Sequence, residues 1–164
     1  MLTMKSFMKL AVRIPNIGLQ FSVHESTDEA RNNLIPFKKK LNIEGIARVG
    51  NKFFEMTGRN PFFNYCAHST NNKDENAQSL QKIFNPSVWQ ATVSIICESN
   101  NGMPSTSCAQ KEIANDFASK LVTKGFDVRV FDPAGQDTIG GGCGQLWHVQ
   151  KWMKENKKYV KHTT

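Results

Sequence analysis

Leu19-Gln20-Phe21-Ser22-Val23-His24-Glu25-Ser26-Thr27-Asp28-Glu29 is the stretch that decides the fold class. Its first six residues alternate apolar and polar side chains after the turn-like Pro15-Asn16-Ile17-Gly18, the pattern of a strand with one face on a core. The alternation puts Ser22 and His24 on the same face. Ser26 and Glu29 then have capping-box spacing, a hydroxyl and a carboxylate that satisfy the free amides of a helix start. The helix is expected to run to about Leu34, ahead of Pro36, because a residue before proline is pushed out of helical geometry.

Outward from this strand and helix the same alternation of element types continues. Ile43, Ile46, Ala47, Val49 and Phe53-Phe54 keep an apolar stripe at helical spacing, with Gly58 placed to end the helix in a left-handed cap. Pro61 to Ala67 reads as an aromatic strand, about Asp74 to Phe84 as a helix, and Gln90 to Cys97 as a β-branched strand. After the loop Glu98 to Pro104, Ser107 and Gln110 form a second capping box. Ile113, Phe117 and Leu121 carry that helix's stripe, Gly125 closes it, and Phe126 to Phe131 is a last strand. A final amphipathic segment carries Leu146, Val149, Trp152 and Met153.

Strands separated by helices describe an α/β fold, either a partial (β/α) barrel or an open, mainly parallel sheet with flanking helices. A closed eight-stranded barrel takes about 250 residues, more than are present. Ligands of such sheets sit beyond the carboxyl ends of the strands. Ser22, His24, the Ser99-Asn100 loop and Cys143 all fall at or after such ends.

The 164 residues, 39% hydrophobic and 21% charged, suit one domain over 1–164 that buries its own core, with the core at about 19–146 and a basic helical tail at 147–164. No apolar run approaches the roughly 20 residues that cross a bilayer, and Lys5, Lys9 and Arg13 interrupt the N-terminal stretch without a signal-peptide pattern. No membrane association and a cytoplasmic location are the expectation. Cys66, Cys97, Cys108 and Cys143 lack zinc-site spacing, and a chain of this length and apolar content needs no disulfide scaffold. The net charge of +7 and the lysine-rich end favour a polyanion such as RNA as partner.

Asp137-Thr138-Ile139-Gly140-Gly141-Gly142-Cys143-Gly144-Gln145-Leu146 sets one cysteine among four glycines. Glycine reaches backbone conformations that a β-carbon forbids, so the loop is bendable and uncrowded around its thiol. By composition it is either a flexible turn with an incidental cysteine or the presentation of a reactive one.

The order of short motifs resembles the radical S-adenosylmethionine RNA methyltransferases that act on adenine. That family reads Ser-Leu-His, Asp-Glu-x-Arg and x-Pro-x-x-Lys-Lys, then Thr-Gly-Arg before an aromatic strand, and ends in Ala-Cys-Gly-Gln-Leu. Here Ser22-Val23-His24, Asp28-Glu29-Ala30-Arg31, Ile35-Pro36-Phe37-Lys38-Lys39-Lys40, Thr57-Gly58-Arg59 before Phe62-Phe63-Asn64-Tyr65, and Gly142-Cys143-Gly144-Gln145-Leu146 stand in that order. The match runs from about Leu19 to Leu146.

The resemblance implies that Ser22, Val23 and His24 contact S-adenosylmethionine, and that Ser99 or Asn100 supplies a further contact where the family has Asn-Pro. It implies that Cys143 is the cysteine that is methylated and then delivers the carbon to an adenine of rRNA or tRNA. A mobile thiolate able to visit donor and base suits that role. The family's C-x-x-x-C-x-x-C loop, whose thiolates hold a 4Fe–4S cluster, has no counterpart in these residues. Asp137 to Gly141 also departs from the family's Asp-Ile-Asp-Ala. The expectation is the C-terminal half of such an enzyme, either a fragment or one piece of a split protein, inactive alone, with the cluster expected only with the upstream half, in the second case an upstream half-protein. Two alternatives stay open: a non-catalytic RNA-binding remnant, and a radical enzyme of the same fold acting on another substrate.

Overall fold

The computed structural model describes residues 3–96 and 107–132, together with 151, 154 and 155. In chain order the elements are α1 (Met4–Arg13), β1 (Gln20–Ser22), α2 (Asp28–Leu34), α3 (Ile43–Thr57), β2 (Phe62–Cys66), α4 (Asp74–Ile83), β3 (Gln90–Ser94), α5 (Cys108–Thr123) and β4 (Asp127–Phe131). The strands form one sheet in the order β1-β2-β3-β4, and each pairs parallel with the next. Among the described strands that order never reverses, so they form no topological switch point of the doubly wound kind. The sheet has the strand sequence of a barrel segment.

Helices α3, α4 and α5 bury their apolar stripes against one face of the sheet. Ile43, Ile46 and Ala47, Ala77 and Leu80, and Ala114, Phe117 and Leu121 share one cluster with Phe63, Tyr65, Ala91 and Val93. Aromatic rings knit it together, Tyr65 on Phe117 at 4.6 Å between centroids, Phe84 on Trp89 at 4.8 Å and Phe63 on Phe84 at 4.9 Å. Each such ring taken out of water stabilises the fold by roughly 1.5–3 kcal/mol. The packing is closest where α3 crosses Trp89: a β-carbon on Gly50 would overlap the indole ring, whose Nε1 donates to Asn51 Oδ1 at 2.8 Å.

Helix α1 is not anticipated by the sequence reading, which took Met1 to Ile14 only as a stretch without a signal pattern. Thr3 caps it, its side chain accepting from the Ser6 amide. Met8 and Ala11, three residues apart, are buried in a second cluster with Leu19 and Phe53, and Lys5, Lys9 and Arg13 lie on the solvent side. Arg59 ties α1 to the end of α3, donating from Nη2 to the Ala11 carbonyl and lying over the Phe53 ring.

Two local expectations change. The start of α2 is capped by Thr27, whose side chain accepts from the Ala30 amide, and not by Ser26. Ser26 is instead buried, its hydroxyl taken by Asn76 Nδ2 at 2.8 Å, a tertiary partner that outweighs the local one. The first strand is also shorter than Leu19 to His24, stopping at Ser22. The other caps stand where they were read: Ser107 accepts from the Gln110 amide, and Gly58 is left-handed at φ 68°. The glycine-rich loop with Cys143, the pair Ser99 and Asn100, and most of the last amphipathic segment lie outside the described residues.

Gly50→Ala should destabilise the protein by about 1–3 kcal/mol through overpacking against Trp89. Gly18→Ala, with nothing within 4 Å of the added carbon, should stay within about 0.5 kcal/mol of wild type. Urea unfolding of the two variants checks the contrast.

Candidate functional site

The site begins where β1 ends. Val23 and His24 both give their amides to the Asn64 carbonyl, at 2.9 and 3.2 Å, so two residues face one and the ladder breaks in a bulge. His24 is left-handed at φ 64°, alone among the described non-glycine residues. Its ring turns so that Nδ1 accepts from the Cys66 amide at 3.2 Å. An accepting Nδ1 carries no proton, which places the neutral ring's proton on Nε2, an atom with no hydrogen-bond partner among the described residues. Burial, and then the positive charge of Arg31, push the His24 pKa below its ordinary value, so the ring is neutral at neutral pH.

Arg31 holds this turn in place. It is 5% exposed and donates to three carbonyls: Nε to Val23 at 3.1 Å, Nη2 to Ser22 at 3.1 Å and Nη1 to Leu41 at 2.6 Å. One turn earlier, Asp28 Oδ1 accepts from the Ile43 amide at 2.9 Å, at the start of α3. Two residues of α2 thus fix the end of β1 and the beginning of α3 together.

A buried polar knot joins this turn to the loop after β2. Asn71 Nδ2 donates to the His24 carbonyl at 3.0 Å, the Cys66 carbonyl at 3.2 Å and Glu25 Oε1 at 3.3 Å. Glu25 also meets His68 Nε2 at 3.2 Å, and the Tyr65 hydroxyl donates to the Asn71 carbonyl at 2.8 Å. Burial, followed by the Glu25 charge, drives the Tyr65 pKa far upward, which keeps that hydroxyl protonated and donating.

The sheet face away from the helices is polar. Ser22, Asn64, Thr92 and Arg129 stand in one cross-strand row, and Cys66, Ser94 and Phe131 in the next towards the carboxyl ends. Ser94 Oγ donates to Asn64 Oδ1 at 2.8 Å, and Thr92 Oγ1 to Gln20 Oε1 at 3.3 Å. None of these side chains belongs to the apolar clusters on the helical side. A polar face reaching the carboxyl ends of parallel strands has the character and the position of a ligand surface.

Of the residues singled out in the sequence, the structure brings Ser22, Val23 and His24 together at the rim of this face. Ser22 is exposed, whereas the Val23 side chain is fully buried and its amide and carbonyl are both engaged. Ser99 and Asn100 follow β3 in the chain and Cys143 follows β4, outside the described residues. Asn64, Ser94 and Arg129 were missed, although period-two spacing within their strands carries the signal. Among the described residues no group of three or more His, Cys, Asp or Glu side chains is placed to hold a metal ion, and none fits an iron–sulfur cluster.

No family model matches the chain. It is 30% identical over 150 residues to a probable dual-specificity RNA methyltransferase RlmN of Rhodopirellula baltica, covering 91% of this chain and 40% of that protein. It is 27% identical over 135 residues to the dual-specificity RNA methyltransferase RlmN of Buchnera aphidicola, covering 80% of this chain and 36% of that protein. A radical SAM methyltransferase from Sphaerobacter thermophilus superposes with a TM-score of 0.67 at 22% identity, over 85% of this chain and 40% of the other. The chain thus resembles the C-terminal part of an RlmN-type radical SAM methyltransferase, and it spans about two fifths of the length of the curated relatives it matches.

Arg31→Leu should cost about 2–4 kcal/mol in urea unfolding, since three carbonyls lose a charged donor at once. The lowered His24 pKa also makes stability pH-dependent. The folded state holds fewer protons, so this contribution is complete above the ordinary histidine value of about 6.5 and is lost as pH falls from there through the folded value. His24→Asn, which tolerates the left-handed backbone, should show less of this acid loss when melting temperature is followed from neutral to acidic pH.

Proposed function

We propose that this chain supplies the donor-binding and methyl-carrying part of a radical S-adenosylmethionine RNA methyltransferase, and that by itself it is inactive. The observation that carries the proposal is the left-handed turn at His24. It turns a neutral imidazole onto the Cys66 amide, its Nε2–H without a partner among the described residues, two residues after the exposed Ser22 at the end of β1. Those two groups suit the many polar atoms of S-adenosylmethionine, with Val23 contributing the rigid backbone between them. Ser99 or Asn100, which follow β3 in the chain, is proposed to add a further contact.

S-adenosylmethionine, when bound, supplies the methyl group. Cys143 is the proposed first acceptor: its thiolate sulfur would take the methyl group with S-adenosylhomocysteine as the leaving group, and the glycines next to it in sequence carry no β-carbon to crowd the sulfur. An adenine of rRNA or tRNA is the proposed acceptor, drawn by the net charge of +7. The 4Fe–4S chemistry of such enzymes needs thiolates from the remainder of the protein, on this chain's own continuation or on a separate one. The net charge of +7 also supports a second reading, an RNA-binding remnant without catalysis.

Saturation-transfer NMR with S-adenosylmethionine separates the two readings. Transfer to the adenosine protons that falls about tenfold or more in His24→Asn and weakens in Ser22→Ala is expected. Absence of transfer to the wild-type chain, with RNA binding intact, leaves the remnant reading in its place.

A further inference from the structure

The polar face carries a feature that the methyl-transfer reading does not use. Arg129, in the middle of β4, is fixed on two sides by neutral groups: its Nε donates to Thr92 Oγ1 at 2.8 Å and its Nη2 to Gln20 Oε1 at 3.1 Å. The guanidinium carbon lies 4.9 Å from the centre of the Phe62 ring. Thr92 is itself 2% exposed, so the anchor is a buried hydroxyl on the neighbouring strand. An exposed arginine ordinarily keeps its rotamer freedom; this one has given it up before any ligand arrives.

Among the described residues no carboxylate pairs with Arg129, and its Nη1 has no hydrogen-bond partner. Asp127, two residues earlier on the same face, is held instead by Gln90 Nε2 at 2.7 Å. A fixed guanidinium with a free edge matches the two oxygens of a phosphate or carboxylate, and the fork geometry favours that pairing over a single point contact.

We propose that Arg129 is an oxyanion-binding residue of the open sheet face, and that Thr92, Gln20 and Phe62 hold its guanidinium ready for a phosphate or carboxylate group of the ligand. The subsite stands whether or not Cys143 carries a methyl group. Two sources of the oxyanion fit: the phosphodiester backbone of an RNA, and the carboxylate of S-adenosylmethionine.

The test titrates the full chain and its Arg129→Ala and Arg129→Lys variants with S-adenosylmethionine and, separately, with an unstructured RNA oligonucleotide over a range of salt, circular dichroism confirming that each variant is folded. Arg129→Ala is expected to weaken one probe by about tenfold or more. Arg129→Lys, which keeps the charge and loses the fork, should recover only part of that. Loss confined to the RNA, with a salt slope smaller by about one, assigns the group to phosphate. Loss confined to S-adenosylmethionine assigns it to the carboxylate. Binding of both probes within about twofold of wild type in Arg129→Ala would overturn the proposal, as would full recovery by Arg129→Lys, since charge alone would then suffice.

Discussion

The guanidinium of Arg31 is the constraint on which the rest of the site depends. A buried positive charge costs several kcal/mol unless its donors are satisfied, and here they are spent on the carbonyls of Ser22, Val23 and Leu41. Those bonds can form only if β1 ends in its bulge and the chain before α3 comes close. The bulge in turn sets His24 in its left-handed conformation and turns its ring to the Cys66 amide. One α2 side chain therefore converts a strand end into a shaped rim, and its charge helps to keep the nearby imidazole neutral.

The two faces of the sheet divide the remaining labour. Aromatic packing on the helical side makes the strands a rigid platform, with α1 extending that packing over the back of α3. The other face is laced by short polar contacts, Ser94 to Asn64, Thr92 to Gln20 and Arg129 to both Thr92 and Gln20. A rigid frame under a polar surface favours binding, because the ordering of those side chains precedes the ligand.

Much of this was legible in the sequence wherever a local rule had no competitor. The parallel order of strands followed from helices between them, and Gly58 marked its cap because nothing else tolerates that backbone so well. Ser26 misled because a hydroxyl that fits a local cap found a better partner in Asn76, fifty residues away in sequence. His24 was placed on a strand face by alternation, which carries no information about a bulge imposed by Arg31. Helix α1 is absent from the sequence reading because Lys5, Lys9 and Arg13 break up the apolar positions, although the i, i+3 pair Met8 and Ala11 marks its buried face. The motif Asp28-Glu29-Ala30-Arg31 is visible as a resemblance, but its roles, Asp28 accepting the Ile43 amide at the start of α3 and Arg31 clamping the end of β1, need three dimensions.

Under the proposed function, Cys143 carries a methyl group in transit to RNA. The direct measurement is mass spectrometry of the peptide containing Cys143, from cells in which this chain is produced together with a segment bearing C-x-x-x-C-x-x-C from one of its relatives. A methyl group on the Cys143 sulfur, absent when His24→Asn is substituted, is the predicted result. An unmodified Cys143 in an assembly that holds its cluster and binds S-adenosylmethionine would contradict it.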